Sequence, residues 1–268
     1  MHNIITAAKK AIENQQHLPF SVYSSYKEQI IKNVPIIKPL LIFVLSGTKQ
    51  LGKTEAVECL SGHFIFLSNH PKIDMRNIPT QEEYFAVLID FEYEDFAGLR
   101  KNSTSNKKYF QGEINSVLKS ALCQFIEFSL IAPSEVIKFR KREILEIIYY
   151  CGYKDVCNIV EAPSLSEKVQ SMISGNLSLD WSVELIASNL FMSSSTLRRK
   201  LKSEGSNIHD IRNRTRLSHG FHLLQTTQLS ITNIAELCGY QSQSRFTAQF
   251  KFLFGMTPRE LRKTKMLD

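Results

Sequence analysis

The stretch that decides the architecture of the last third of the chain is "SITNIAELCGYQSQSRFTAQFKFLFGMTPRELR", residues 230–262. A short run with Ile231, Ile234 and Ala235 on one side breaks at Gly239-Tyr240. It resumes with Phe246, Phe250 and Phe254 at four-residue spacing. That spacing stacks the three rings along one side of a helix, the side that will be buried. Gly255 follows the last ring and stops the helix. The predicted plan is helix 231–238, a turn, and helix 242–254, which is a helix-turn-helix.

The same plan recurs upstream in "VELIASNLFMSSSTLRRKL", residues 183–201. Ala187 corresponds to Ala235, 48 residues later. The first copy reads as helix 182–189, turn 190–192 and helix 193–204, stopped by Gly205. A small alanine lets the two helices of each copy approach. The segment between the copies, "IHDIRNRTRLSHGFHLLQTT", spans roughly 30 Å if helical. That is close to the ~34 Å that separates successive major grooves on one side of a duplex.

With Leu197 and Leu201 inward, the first of the two second helices shows Ser195, Arg199 and Lys202 to solvent, flanked by Thr196 and Arg198. Arginine grips guanine bidentately and lysine pairs with phosphates. With the phenylalanines inward, the other shows Gln243, Ser244 and Arg245 at its start, then Ala248 and Lys251. Glutamine reads adenine, and a helix N-terminus favours a phosphate. A polar face on an ordinary bundle would look the same in one copy. Charge argues for more: residues 165–268 hold 14 Lys and Arg against 8 Asp and Glu, a net of +6, out of +7 for the whole chain. A polyanion partner for this segment is the first reading.

The first 164 residues have another texture. From about residue 20 to 91 apolar residues come in short runs, "LLIFVL", "HFIFL" and "YFAVLIDF", punctuated by Gly, Pro, Asn and Lys, as in strands and turns. From 108 to 157 the period lengthens. "YFQGEINSVLKSALCQFIEFSLI" and "SEVIKFRKREILEIIYYC" read as two amphipathic helices, the second with Ser134 as N-cap. "EAPSLS", residues 161–166, reads as a linker, dividing the chain into domains 1–162 and 163–268. The fold class is α+β. No apolar run approaches the ~20 residues that span a bilayer, and the N-terminus lacks the layout of a signal peptide. A cytoplasmic protein with no membrane partner is expected. Five cysteines without a C-x-x-C pair argue for reduced thiols and against a metal site, and no cofactor is expected.

One motif points elsewhere. Residues 47–54, "GTKQLGKT", fit the phosphate-cradling pattern G-x-x-x-x-G-K-[ST], and "FAVLID" ends in Asp90, where a magnesium-holding carboxylate would stand. The alternative is therefore a nucleotide hydrolase using Lys53, Thr54 and Asp90. Against it, a phosphate loop needs a helix and a parallel crossover of a dozen or more residues. Only eight residues separate Thr54 from the next apolar run at His63. A run of hairpins is the better reading.

Residues 191–263 resemble the DNA-binding domain of AraC/XylS-type transcription regulators. The likeness rests on Ile231, Ile234, Ala235, Gly239, Tyr240, Ser244, Phe246, Phe250-Lys251, Phe254-Gly255 and Thr257-Pro258, on "MSSSTLRRKLKSEG", and on Arg216-Leu217 between the copies. Phe191 stands where a turn glycine is common, and Gly220 where the linker helix usually has alanine, which predicts an easier hinge. The resemblance implies a cupin-like β-barrel with a helical dimerisation layer in the N-terminal domain. It further implies promoter DNA and RNA polymerase as partners, a homodimer, and more often activation than repression. "GHFIFLSNHPKIDMRNI" resembles strands of the enteric virulence-regulator branch, some of whose members bind long-chain fatty acids. That likeness implies Arg76 as partner of an effector carboxylate; Lys38 and His17 are added on chemistry alone.

Overall fold

The computed structural model describes residues 1–14, 18–53, 56–80, 82–99, 108–160 and 163–266. The chain divides into two compact units, Met1–Glu161 with Lys263–Asp268, and Ala162–Arg262.

The first unit holds two antiparallel sheets. One has five strands in the order β1 (Ser21–Ser25), β8 (Tyr84–Asp90), β3 (Leu40–Ser46), β6 (His63–Leu67), β9 (Tyr109–Glu113). The other has four, β2 (Gln29–Ile36), β7 (His70–Ile78), β4 (Thr48–Leu51), β5 (Val57–Leu60). Helices α1 (His2–Asn14), α2 (Ser116–Phe128) and α3 (Ser134–Tyr150) share a core with one face of the five-stranded sheet. Leu41, Phe43, Phe64, Phe66, Phe85, Val87 and Ile89 meet Ile4, Leu122, Phe125 and Ile148 there. Because successive side chains alternate, the intervening residues Ile42, Val44, Ala86 and Leu88 face the other way and are buried too. Strands buried on both faces are why these runs are apolar without alternation.

Two expectations need correction here. The helix predicted from Tyr109 begins only at Ser116: Tyr109–Glu113 is a strand on β6, and Asn115 caps α2 by accepting from the Leu118 N–H at 2.9 Å. The apolar spacing of a short edge strand running into a helix mimics one longer helix. The cap of α3 falls on Pro133, one residue before Ser134, with no side-chain cap bond. Residues 161 and 162 of the expected linker lie outside the described residues. Its end is already a helix start, since Ser164 and Glu167 form a capping box on α4 (Leu165–Gly175).

The phosphate-loop letters fold as hairpin. After the turn at Gly47, Thr48–Leu51 is strand β4, paired antiparallel to both β5 and β7. Lys53 is ion-paired with Asp74 at 3.5 Å, and Asp90 with Lys141 at 3.0 Å. Thr54 lies outside the described residues. Strand pairing commits the backbone N–H groups that a phosphate loop would aim at its ligand.

The second unit is helical: α4, α5 (Val183–Asn189), α6 (Ser194–Ser203), α7 (Ile208–Thr226), α8 (Ile231–Leu237), α9 (Gln243–Phe254) and α10 (Pro258–Lys263).

Candidate nucleic-acid interface

Each helix of the repeat is set by local chemistry. Ser182, Ser193, Ser230 and Ser242 cap α5, α6, α8 and α9, each accepting from the backbone N–H three residues on. The turns match bond for bond. Met192 N–H donates to the Ala187 carbonyl at 3.0 Å and Tyr240 N–H to that of Ala235 at 2.9 Å. Both turns pass through one left-handed residue, Phe191 at φ 53° and Gly239 at φ 74°.

Packing then orients the exposed faces. In the first copy Leu197 and Leu201 close on Ile186, Ala187, Val169, Ile173 and Ile211. In the second, Phe246, Phe250 and Phe254 are fully buried and pack in sequence with tilted rings, their centres 5.5 and 4.6 Å apart. Tyr240 meets Phe246 at 5.4 Å and Phe221 of α7 meets Phe254 at 5.2 Å.

With those rows inward, Ser195, Arg198, Arg199 and Lys202 of α6 are exposed, as are Gln243, Ser244, Arg245, Ala248 and Lys251 of α9. Thr196 is half-buried, its hydroxyl accepting from Ser193 at 2.9 Å. Arg198, Arg199, Lys202, Arg245 and Lys251 form no ion pair among the described residues. Two of the three linker-helix arginines differ: Arg212 pairs with Asp180 at 3.1 Å, and Arg216 donates to the Leu177 carbonyl at 3.1 Å. Exposed cations without an ion pair among the described residues thus line both second helices, where a polyanion could take them.

Sequence reading missed two contributors. Lys200 is exposed on α6 and adds to its charge; the run "RRKLK" signalled it, but strict i, i+4 bookkeeping left it out. Thr232 of α8 donates to Gln243 Oε1 at 2.6 Å, orienting that side chain from outside its own helix. No local signal announces such a contact.

The linker helix departs from expectation. α7 runs unbroken through Gly220, which is buried. A Cβ there would lie 2.7 Å from Phe246 Cε2 and 3.2 Å from Cys238 Sγ. The glycine serves close packing and is no hinge.

In the first unit Arg76 lies on the outer face of the four-stranded sheet, half-exposed. Its Nε donates to Glu28 at 2.7 Å and its Nη1 to Gln50 at 3.0 Å. Lys38 is bound to Glu92 at 2.5 Å and stands 3.9 Å from Asp90. Burial opposes its charge, but these carboxylates win and raise its pKa. His17 lies outside the described residues. Arg76 and Lys38 are thus each engaged with different carboxylates of the protein, Glu28 and Glu92.

A helix-turn-helix domain family matches residues 186–264. The transcriptional regulator GadX of Escherichia coli O6:H1 (strain CFT073) is 35% identical over 98 residues, which cover 37% of this chain and 36% of GadX. The match thus spans only about a third of that relative's length. The transcriptional activator CfaD of Escherichia coli is 25% identical over 264 residues, covering 89% of this chain and 96% of CfaD. Among solved structures, unsaturated fatty acid-bound ToxT of Vibrio cholerae superposes with a TM-score of 0.64 at 15% identity, over 94% of this chain and 97% of ToxT. That likeness concerns the fold. Residues 186–264, two copies of one plan joined by α7, are an AraC/XylS-type helix-turn-helix domain, and the chain as a whole has the fold of ToxT.

Proposed function

We propose that the protein is a sequence-specific DNA-binding transcription regulator. The observation that carries this reading is the set of six exposed cations, Lys200 included, without ion-pair partners among the described residues on α6 and α9, the second helices of two matched units. Joined by a 19-residue helix, about 28 Å long, they suit successive major grooves of promoter DNA. Activation is favoured over repression because CfaD is named an activator. RNA polymerase is then a partner, the protein works in the cytoplasm as a homodimer, and virulence or stress genes are its targets. ToxT has been solved with an unsaturated fatty acid, which supports a small amphipathic carboxylate as effector of the N-terminal unit.

A fluorescence titration of the full-length protein on promoter fragments and on scrambled DNA tests this. Affinity should fall steeply with salt as counterions are displaced, and promoter DNA should win by orders of magnitude. Equal affinity for both DNAs, or a flat salt response, would sink the reading.

A further inference from the structure

The inner face of the four-stranded sheet carries one polar rung. Gln29 (β2), Asn77 (β7), Lys49 (β4) and Cys59 (β5) are direct cross-strand partners across all four strands. The next rung on that face, Ile31, Met75, Leu51 and Val57, is apolar. On the five-stranded sheet Ser25 and Tyr84 are cross-strand partners, and Lys49 Nζ lies 5.9 Å from the centre of the Tyr84 ring. All six polar-layer residues are at most 2% exposed.

The hydrogen bonds of this layer run one way. Lys49 Nζ donates to Asn77 Oδ1, Asn77 Nδ2 to Gln29 Oε1, and Gln29 Nε2 to Thr264 Oγ1, each at 2.8 Å. The amide acceptors are thereby used. What remains are donors: two further N–H bonds of the Lys49 ammonium, the Cys59 thiol, and the Tyr84 and Ser25 hydroxyls, which have no partner among the described residues. Lys9, Lys38 and Lys141 each reach a carboxylate. Lys49 reaches none among the described residues, although it is the most buried of the four. A desolvated ammonium without counter-charge is unfavourable, and so is a buried hydroxyl without a partner.

We propose that this layer binds one compact monovalent anion, of the class of formate, nitrate or a halide, on the Lys49 ammonium, with the Tyr84 and Ser25 hydroxyls donating from the facing sheet. The enclosure sets the size, because six side chains this buried leave no path for a ligand with a long tail. Burial pulls the Lys49 pKa down to about 8, as expected for a cation lacking a counter-charge, and an anion in contact would raise it again. The titratable groups facing Lys49 are the Cys59 thiol and the Tyr84 phenol, with Tyr23 beyond them; all three are neutral at pH 7. Of these groups only Lys49 carries a charge for the ligand to meet.

The test is thermal unfolding of the full-length protein at pH 7 and constant ionic strength, exchanging gluconate for formate, nitrate or bromide. A saturable rise in melting temperature of about 3–6 °C at tenfold excess over Kd is expected for the parent and for Lys53→Met, whose lysine is exposed. Lys49→Met should lose it. Equal responses from parent and Lys49→Met, or no saturable response, overturn the proposal. Should Lys49→Met fail to fold, crystals of the parent grown in bromide decide the matter. An anomalous peak in contact with Lys49 Nζ upholds the site, and its absence there overturns it.

Discussion

Phe191 and Gly239 occupy the same position in the two helix-turn-helix units, 48 residues apart, and both adopt the left-handed backbone. Glycine does so freely, whereas a side chain there costs on the order of 1 kcal/mol. Phe191 is 97% exposed and gives no packing in return. Phe191→Gly should therefore stabilise the second unit by up to about 1 kcal/mol, part of the gain being offset by unfolded-chain entropy. Urea unfolding measures it; a lower midpoint would mean that the ring has a contact worth more than the strain.

Gly220→Ala should act in the opposite sense to helix propensity. Alanine gains about 1 kcal/mol in a helix interior, yet its Cβ would press on the buried Phe246 ring and on Cys238. Overpacking of this kind costs about 1–3 kcal/mol. The melting temperature should fall, with α7 and α9 forced apart. A rise would show that the ring yields cheaply.

The pH dependence of the first unit should carry the mark of Lys49. Its pKa is lowered by burial to about 8 in the folded state, against about 10.4 unfolded. Between those values the unfolded chain binds more protons, so folding stability rises with pH from about 8 upward. Cys59 opposes this, because burial pushes its thiol up to about 12 and its ionisation favours unfolding. An unfolded thiol titrates at about 8.5, so Cys59 already opposes Lys49 between about pH 8 and 9.5. The Lys49 contribution is the parent profile minus that of Lys49→Met, which keeps Cys59. Without an anion ligand, that difference should rise with pH across the window. Parallel profiles would mean that Lys49 finds an acceptor when folded.

On DNA, Arg199→Ala and Lys202→Ala should separate. Losing a bidentate base contact costs about 1–3 kcal/mol on the specific site and little on random DNA. Losing a phosphate contact weakens both alike and lowers the salt slope by about one. Anisotropy titrations at several salt concentrations distinguish the two, and identical behaviour would remove the assigned roles.

Replacing Glu204 with Gln should loosen α4. The carboxylate accepts from the Leu165 N–H at 3.1 Å and the Ser166 N–H at 2.8 Å, at the first turn of that helix. Burial alone would raise its pKa, but the bonds from Ser166 and Leu165 hold it below the ordinary glutamate range. A carboxylate so placed is worth about 1 kcal/mol. The loss should show as a lower melting temperature for the second unit at pH 7. It should vanish at a pH low enough to protonate Glu204, since a lowered folded pKa adds stability only above it. No loss at pH 7 would mean that the amide serves equally well.

What the sequence by itself determined is the helical repeat. Serine caps, turn residues and phenylalanines four apart act within a few positions of one another, so their effect on the backbone is readable without knowing what packs where. The reading of 47–54 as hairpin was accessible for the same reason: chain length alone left no room for a crossover helix. What only the tertiary structure decided depends on residues far apart in the chain. Gly220 looked like a weak point until Phe246, 26 positions on, was seen against it. In the strands the difference is one residue of register. Arg76 faces outward to Glu28, while its neighbour Asn77 and the paired Lys49 face inward, because adjacent side chains in a strand project to opposite sides. Both faces of the five-stranded sheet are covered, so alternation fails there as a guide to the interior. Sheet pairing, which is non-local, settled which cation was buried.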